Sequence, residues 1–92
     1  MRFSLFVHLI AISVTIIVSS LVRPTGLLVL IFVGAAMFVS IVALVFYRQN
    51  AGAHYASAAF QLTAAGLLVG LEPWLIAIIV FLAMMPAILV SR

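Results

Sequence analysis

The stretch LEPW at residues 71–74 interrupts a long apolar run over residues 51–91, and it decides how many helices the chain forms. A single helix over this run would be about 60 Å long, twice the thickness of a bilayer core. Proline fits the first turn of a helix and disfavours helical geometry in the residue before it. In addition, the negative charge of the Glu72 carboxylate would interact favourably with the dipole of a helix that begins at Pro73. The run is therefore predicted to form two helices, over residues 51–71 and 73–91.

Two further apolar runs precede this break, at residues 3–22 and 27–47. Each is about 20 residues long, the length that crosses roughly 30 Å of hydrocarbon. The sequence thus predicts a single all-α integral membrane domain over residues 1–92, with four short transmembrane helices joined by tight turns. Three spans are the alternative. We expect the first run to be a retained helix, since a single arginine is a weak n-region for a cleaved signal peptide.

The composition favours a membrane protein and disfavours several functions. Hydrophobic residues make up 70% of the chain and charged residues 5%, against about 45–50% and about 25% in soluble domains. Lysines and cysteines are absent, so neither nucleic-acid binding nor a thiolate site is expected. The sequence offers no nucleophile–base pair, phosphate-binding loop or zinc-ligand spacing. We therefore expect a protein that is not an enzyme and has no cofactor or metal.

The few charges indicate an orientation in the membrane. With four spans and a cytoplasmic N-terminus, Arg2, Arg48 and Arg92 lie inside, whereas Arg23 and Glu72 lie outside. This bias agrees with the enrichment of arginine in cytoplasmic loops. We therefore expect both termini in the cytoplasm and the chain in a cell inner or plasma membrane.

The third predicted helix carries a stripe of small residues spaced alternately four and three apart, which places them on one helical face. The members of this small-residue stripe are Gly52, Ala56, Ala59, Thr63, Gly66 and Gly70. Small residues let the backbones of two membrane helices approach closely. Close packing matters there because the hydrophobic effect does not drive helices together in lipid. The stripe is predicted to be a helix–helix interface, either internal or with a partner.

Several polar residues are candidates for function. His8 is expected to be a neutral imidazole bonded to a neighbouring helix or the interface, and a proton relay or haem ligand is the alternative. Gln61 points away from the small-residue stripe and implies a second contact face with Ser57 and Ala65. Glu72 is the only carboxylate, and its turn position favours a solvated role.

The spans carry no Asp, Glu, Lys or Arg at their centres. Ion carriers usually place such a group in the middle of a span. The small four-helix drug exporters have this size and topology, but that family depends on a glutamate in its first helix. The missing acid disfavours a proton-coupled exporter.

One part of the chain, residues 34–92, resembles the G subunit of Mrp-type multisubunit cation/proton antiporters. The similar features are GAAMF at 34–38, Tyr47 and Arg48, His54, Ala58 and Ala59, Thr63, Gly66, Pro86 and Arg92. The chain departs from the family at residues 49–52, where an acid and a second arginine are missing, at Tyr55, and in its extra first helix. The resemblance implies an accessory subunit of an ion-translocating complex, in which Arg48 and His54 match the conserved turn and the proton path lies mainly in partner subunits.

A chain with packing faces, short loops and no visible chemistry favours a structural role. The leading hypothesis is a small non-catalytic subunit of a larger bioenergetic or ion-transporting membrane complex, whose partners are lipid and other membrane subunits. A stand-alone homo-oligomeric transporter or channel is the second hypothesis, and a holin-like or scaffold membrane protein is the third.

Overall fold

The fold consists of four helices. The computed structural model describes residues 3–23 and 26–90, except for the side chains at positions 86–88 and 90. The helices are α1 (Phe3–Leu21), α2 (Leu27–Phe46), α3 (Ala51–Val69) and α4 (Pro73–Val90). The prediction of an all-helical chain with four helices is confirmed, and α1, α2 and α3 end one or two residues before their predicted ends. Arg2, Arg92 and the side chain of Pro86 lie outside what the structure describes.

The break between α3 and α4 has a local cause at each side. Gly70 has φ +80°, in the left-handed region that glycine adopts without strain. The N–H of Leu71 donates to the Gly66 carbonyl at 3.0 Å, which ends α3 in a Schellman-type motif. The Glu72 carbonyl then accepts from the N–H groups of Leu75 and Ile76 in the first turn of α4. Residues 51–91 therefore do not form one continuous helix.

Helix α3 lies at the centre of the bundle. It packs against α1, α2 and α4, whereas α1 and α2 scarcely meet each other. At its start, the Asn50 side chain accepts a hydrogen bond from the Ala53 N–H at 3.1 Å and caps the helix. The side chains that α3 buries are mostly small, which allows its neighbours to approach closely.

The distribution of polar and apolar side chains is inverted relative to a water-soluble protein. Alanines and polar side chains fill most of the described interior, and Leu68 is the largest fully buried side chain. Large apolar side chains cover the outside, with Leu28 82% and Leu21 80% exposed. An apolar patch of this extent usually marks contact with a partner or a membrane.

Two of the helices, α1 and α2, are long and apolar enough to cross a membrane. Helix α4 contributes a shorter apolar segment over Pro73–Met85.

The contact between α3 and α4 depends on Gly66. A Cβ atom at Gly66 would lie 2.8 Å from Cγ1 of Ile76, closer than side-chain packing allows, whereas a Cβ atom at Gly34 would meet nothing within 4 Å. We expect Gly66→Ala to push α4 away and to lower stability by about 1–3 kcal/mol. The matched control Gly34→Ala should be neutral or stabilising, by about 0.5–1 kcal/mol. Thermal unfolding of the purified chain in detergent measures both, and equal midpoints for the two variants would contradict this packing.

Candidate functional site

Polar side chains are buried together where α1, α2 and α3 meet. Four of them are joined by hydrogen bonds that cross between the helices, and we call this set the polar chain. Its members are Gln61, Ser40, His8 and His54. In a bundle whose other buried side chains are largely alanine, these groups can satisfy their hydrogen bonds only with one another and with the backbone.

The two histidines face each other directly. Nδ1 of His8 lies 2.9 Å from Nδ1 of His54, and both side chains are 0% exposed. The ring centroids are 5.1 Å apart with the planes tilted by 48°, so the contact runs edge to edge through the nitrogens and not through stacked faces. Their chain positions explain the meeting, since His8 lies in the second turn of α1 and His54 in the first turn of α3.

Each histidine uses its other ring nitrogen as well. Nε2 of His8 lies 3.0 Å from the Ser40 hydroxyl on α2, and Nε2 of His54 lies 2.7 Å from the Arg48 carbonyl in the turn between α2 and α3. All four ring nitrogens are thus engaged. The pair links all three helices and the turn through two side chains.

The direction of every hydrogen bond follows from the partners. A carbonyl only accepts, so His54 must carry its proton on Nε2 and, when neutral, offers Nδ1 as an acceptor. His8 then donates from Nδ1, and its Nε2 accepts from the Ser40 hydroxyl. Ser40 in turn accepts from the amide of Gln61 at 2.7 Å. The polar chain therefore runs in one direction, from Gln61 to the Arg48 carbonyl, with both imidazoles neutral.

Gln61 ties α3 to both neighbouring helices. Its amide nitrogen also donates to the Ala36 carbonyl of α2 at 3.1 Å. The hydroxyl of Thr15 on α1 donates to the Gln61 backbone carbonyl at 3.0 Å and to the Ala11 carbonyl of its own helix. The side-chain oxygen Oε1 of Gln61 is buried and has no hydrogen-bond partner in the described structure.

The polar chain occupies one half of the bundle. His8, Ser40 and His54 lie toward the end marked by the α2–α3 turn, and Gln61 lies in the middle of α3. The opposite end of α3 buries Leu68 and packs Gly66 against Ile76 of α4. The bundle therefore has a polar half at the α2–α3 turn and an apolar half at the α3–α4 turn.

The structure brings together three of the five polar residues singled out in the sequence, namely His8, His54 and Gln61. Arg48 contributes only its backbone carbonyl, because its guanidinium is exposed and Nε donates to the Leu44 carbonyl at 3.4 Å. Glu72 is exposed at the opposite end of the bundle. Ser40 was not among the predicted site residues. It could have been noticed, because it is a hydroxyl residue in the otherwise apolar sequence of α2.

The small-residue stripe is only partly covered. Gly66 is buried against Ile76, and Ala59 and Thr63 are half-buried. Gly52 and Ala56 are exposed on α3. Gly70 is also exposed, but it follows the helix in a left-handed conformation, so its predicted place on the helical face is wrong.

The main buried face of α3 lies on its other side. It contains Ser57, Gln61 and Ala65, the residues of the second contact face inferred from the sequence. Within the bundle, the small-residue stripe is therefore not the principal contact surface of α3.

The residues at this site are poorly suited to hold a metal. Across the described part of the chain, no group of three or more His, Cys, Asp or Glu side chains lies close enough together to bind an ion. The site offers imidazole, hydroxyl and amide groups, which exchange hydrogen bonds and protons.

Comparisons with protein families, curated proteins and solved structures find no match for this chain.

Ser40 is the link between Gln61 and His8, and its removal should destabilise the bundle. Ser40→Ala leaves buried polar partners unsatisfied on both sides, and we expect a loss of about 1–3 kcal/mol. Ser13→Ala is the matched control, because the Ser13 hydroxyl is exposed and bonds only to the Leu9 carbonyl of its own helix. Thermal unfolding in detergent compares the two, and a control that loses as much stability as Ser40→Ala would contradict the role given to Ser40.

Proposed function

We propose that this chain is a four-span integral membrane protein that serves as a small, non-catalytic subunit of a larger membrane complex. The observation that carries the proposal is the uncovered part of the small-residue stripe on α3. These exposed residues lie on α3, although the rest of α3 is enclosed at the centre of the bundle.

The membrane assignment rests on the inverted distribution of side chains. In water, exposed apolar surface costs about 25 cal/mol per Å², and this chain exposes most of its large apolar residues. In hydrocarbon the same surface carries no such cost, and backbone groups are satisfied within helices. Helix α3 is the least apolar of the four, but it is also the most enclosed, so α1, α2 and α4 shield its polar groups from lipid.

The subunit role rests on the exposed part of the stripe. Ala56 and Gly52 are exposed and Ala59 is half-buried, so a flat strip of backbone borders the surface near the start of α3. Farther along, an apolar groove between α3 and α4 continues from Thr63 and Leu67 toward Phe81. A transmembrane helix of a partner could pack closely along this surface, as small residues favour in lipid.

The class of complex is proposed from the resemblance of residues 34–92 to the G subunit of Mrp-type antiporters. Arg48 and His54 are the residues that match the family's turn, and in this chain a hydrogen bond joins His54 to the Arg48 carbonyl. We therefore place the chain in a cation/proton antiporter or another bioenergetic complex of the inner or plasma membrane, with both termini in the cytoplasm.

Ala56→Leu should disrupt assembly without disturbing the bundle. Ala56 is exposed, so a larger side chain there has room in the isolated chain but blocks close approach of a partner helix. Ala35→Leu is the matched control, because Ala35 is exposed on α2, away from the stripe. Native gel electrophoresis of gently solubilised membranes should show the wild type and Ala35→Leu in a large complex, and Ala56→Leu at low mass.

Two results would count against the subunit role. One is a wild-type chain that runs only as a discrete, stable homo-oligomer, which would favour a stand-alone transporter or channel. The other is an Ala56→Leu variant that assembles as well as Ala35→Leu.

The four-span topology predicts a pattern of accessibility for single cysteines. The chain has no cysteine, so Arg23→Cys, Arg48→Cys and Glu72→Cys can each be labelled alone. We expect a membrane-impermeant thiol reagent to label Arg48→Cys from one side of the membrane, and Arg23→Cys and Glu72→Cys from the other. Labelling of Glu72→Cys and Arg48→Cys from the same side would exclude the proposed four spans.

A further inference from the structure

We propose that the His8–His54 pair is a binding site for a single proton inside the bundle. This goes beyond the proposed subunit role and does not depend on it, because it rests only on contacts within the chain.

Within the part of the chain that the structure describes, the pair is isolated from other titratable groups. The sequences of the four helices contain three titratable side chains, His8, His54 and Tyr55. Helix α2 presents the Ser40 hydroxyl to the pair, and α4 carries no titratable side chain. The Arg48 guanidinium turns away to the Leu44 carbonyl, and Glu72 lies at the far end of α3. A proton taken up at this site is therefore held by the two imidazoles themselves.

Counting donors sets the capacity of the site at one extra proton. In the neutral pair, one of the two facing Nδ1 atoms carries a hydrogen and the other accepts it across 2.9 Å. If both imidazoles were charged, both Nδ1 atoms would carry hydrogens that point at each other, and two positive charges would be buried side by side. The second proton therefore breaks the contact.

The first extra proton can be accommodated without moving a helix. It binds Nε2 of His8, the only ring nitrogen whose partner is a hydroxyl. The Ser40 hydroxyl then rotates, so that its oxygen accepts from His8 as well as from Gln61. Its own hydrogen turns to the backbone carbonyl one turn earlier in α2, as helical serines commonly do. The hydrogen bond between the two imidazoles is retained, and the charge is shared across it.

A proton suits this pair better than a metal ion. Two imidazole nitrogens on one tetrahedral zinc would be about 3.3 Å apart at ordinary bond lengths, wider than the 2.9 Å observed. Zinc would also need further ligands, and the described neighbours supply only a hydroxyl and a backbone carbonyl.

The outer edge of the site lies at the α2–α3 turn. The His54 Nε2 atom reaches the Arg48 carbonyl, and residues 45–52 around it line an open surface depression. In the other direction, the polar chain ends at the Gln61 amide, which holds its hydrogens and does not relay them. The geometry thus describes a site that holds a proton near this end of the bundle, and not a path through the whole bundle.

The test is nitrogen-15 NMR of the full chain in lipid bilayers with labelled histidine. The sequence has only two histidines, so their four ring nitrogens can be resolved. At about pH 8 we expect neutral rings, with His8 carrying hydrogen on Nδ1 and His54 on Nε2. On lowering the pH to about 3, past the range in which exposed histidines titrate, one proton should be taken up per folded chain. This is half the uptake of two independent histidines.

Three results would overturn the proposal. The first is the uptake of two protons while circular dichroism shows that the chain is still fully helical. The second is the uptake of no proton, and the third is hydrogen on Nε2 of both rings at about pH 8. Ser40→Ala supplies a second measurement. The His54 Nδ1 atom still accepts in this variant, so His8 should keep its hydrogen on Nδ1 at about pH 8. The charged pair, however, loses the acceptor for the hydrogen on Nε2 of His8, so proton uptake should move to a pH lower by about one unit. Ser13→Ala should keep the wild-type uptake, and an unchanged uptake in Ser40→Ala would also contradict the proposed site.

Discussion

The amide of Gln61 is the constraint on which the rest of this bundle depends. It lies in the middle of the central helix and is 0% exposed, in a chain whose composition offers few polar partners. An amide buried without hydrogen bonds costs several kcal/mol. Its nitrogen donates to Ser40 and to the Ala36 carbonyl of α2, and the sulfur of Met37 on the same helix lies 3.5 Å from it. This requirement fixes the depth and rotation of α2 against α3.

The same requirement continues along the polar chain. Ser40 needs an acceptor, His8 supplies it, and His8 in turn needs the Nδ1 atom of His54. Thr15 adds a bond from α1 to the backbone of α3 at Gln61. Apolar contacts between helices specify register weakly in lipid, because lipid tails offer similar contacts. A directional series of hydrogen bonds specifies it far more sharply.

Small residues make these bonds possible. Hydrogen bonds between helices require close approach, and the buried face of α3 is built largely from alanine, serine and glycine. At the opposite end of α3, where the polar chain is absent, Gly66 performs the corresponding task by admitting Ile76 of α4. The exposed stripe residues take no part in this packing. They are therefore the proposed contact surface for a partner helix.

The sequence by itself determined the number of helices. The break at Glu72 and Pro73 acts within a few residues, so its effect can be read locally, whereas the left-handed Gly70 that ends α3 was assigned to the helix. The sequence also pointed to His8, His54 and Gln61 as unusual polar residues in apolar helices.

Only the tertiary structure decided which of these residues meet. His8 and His54 are separated by more than a whole helix in the chain, and Ser40 showed no periodic signal within α2. The sequence indicated two contact faces on α3, and only the structure shows that the bundle buries mainly the face with Ser57, Gln61 and Ala65. Helix rotation depends on the sum of all contacts with several neighbours at once, and no single helix contains that information.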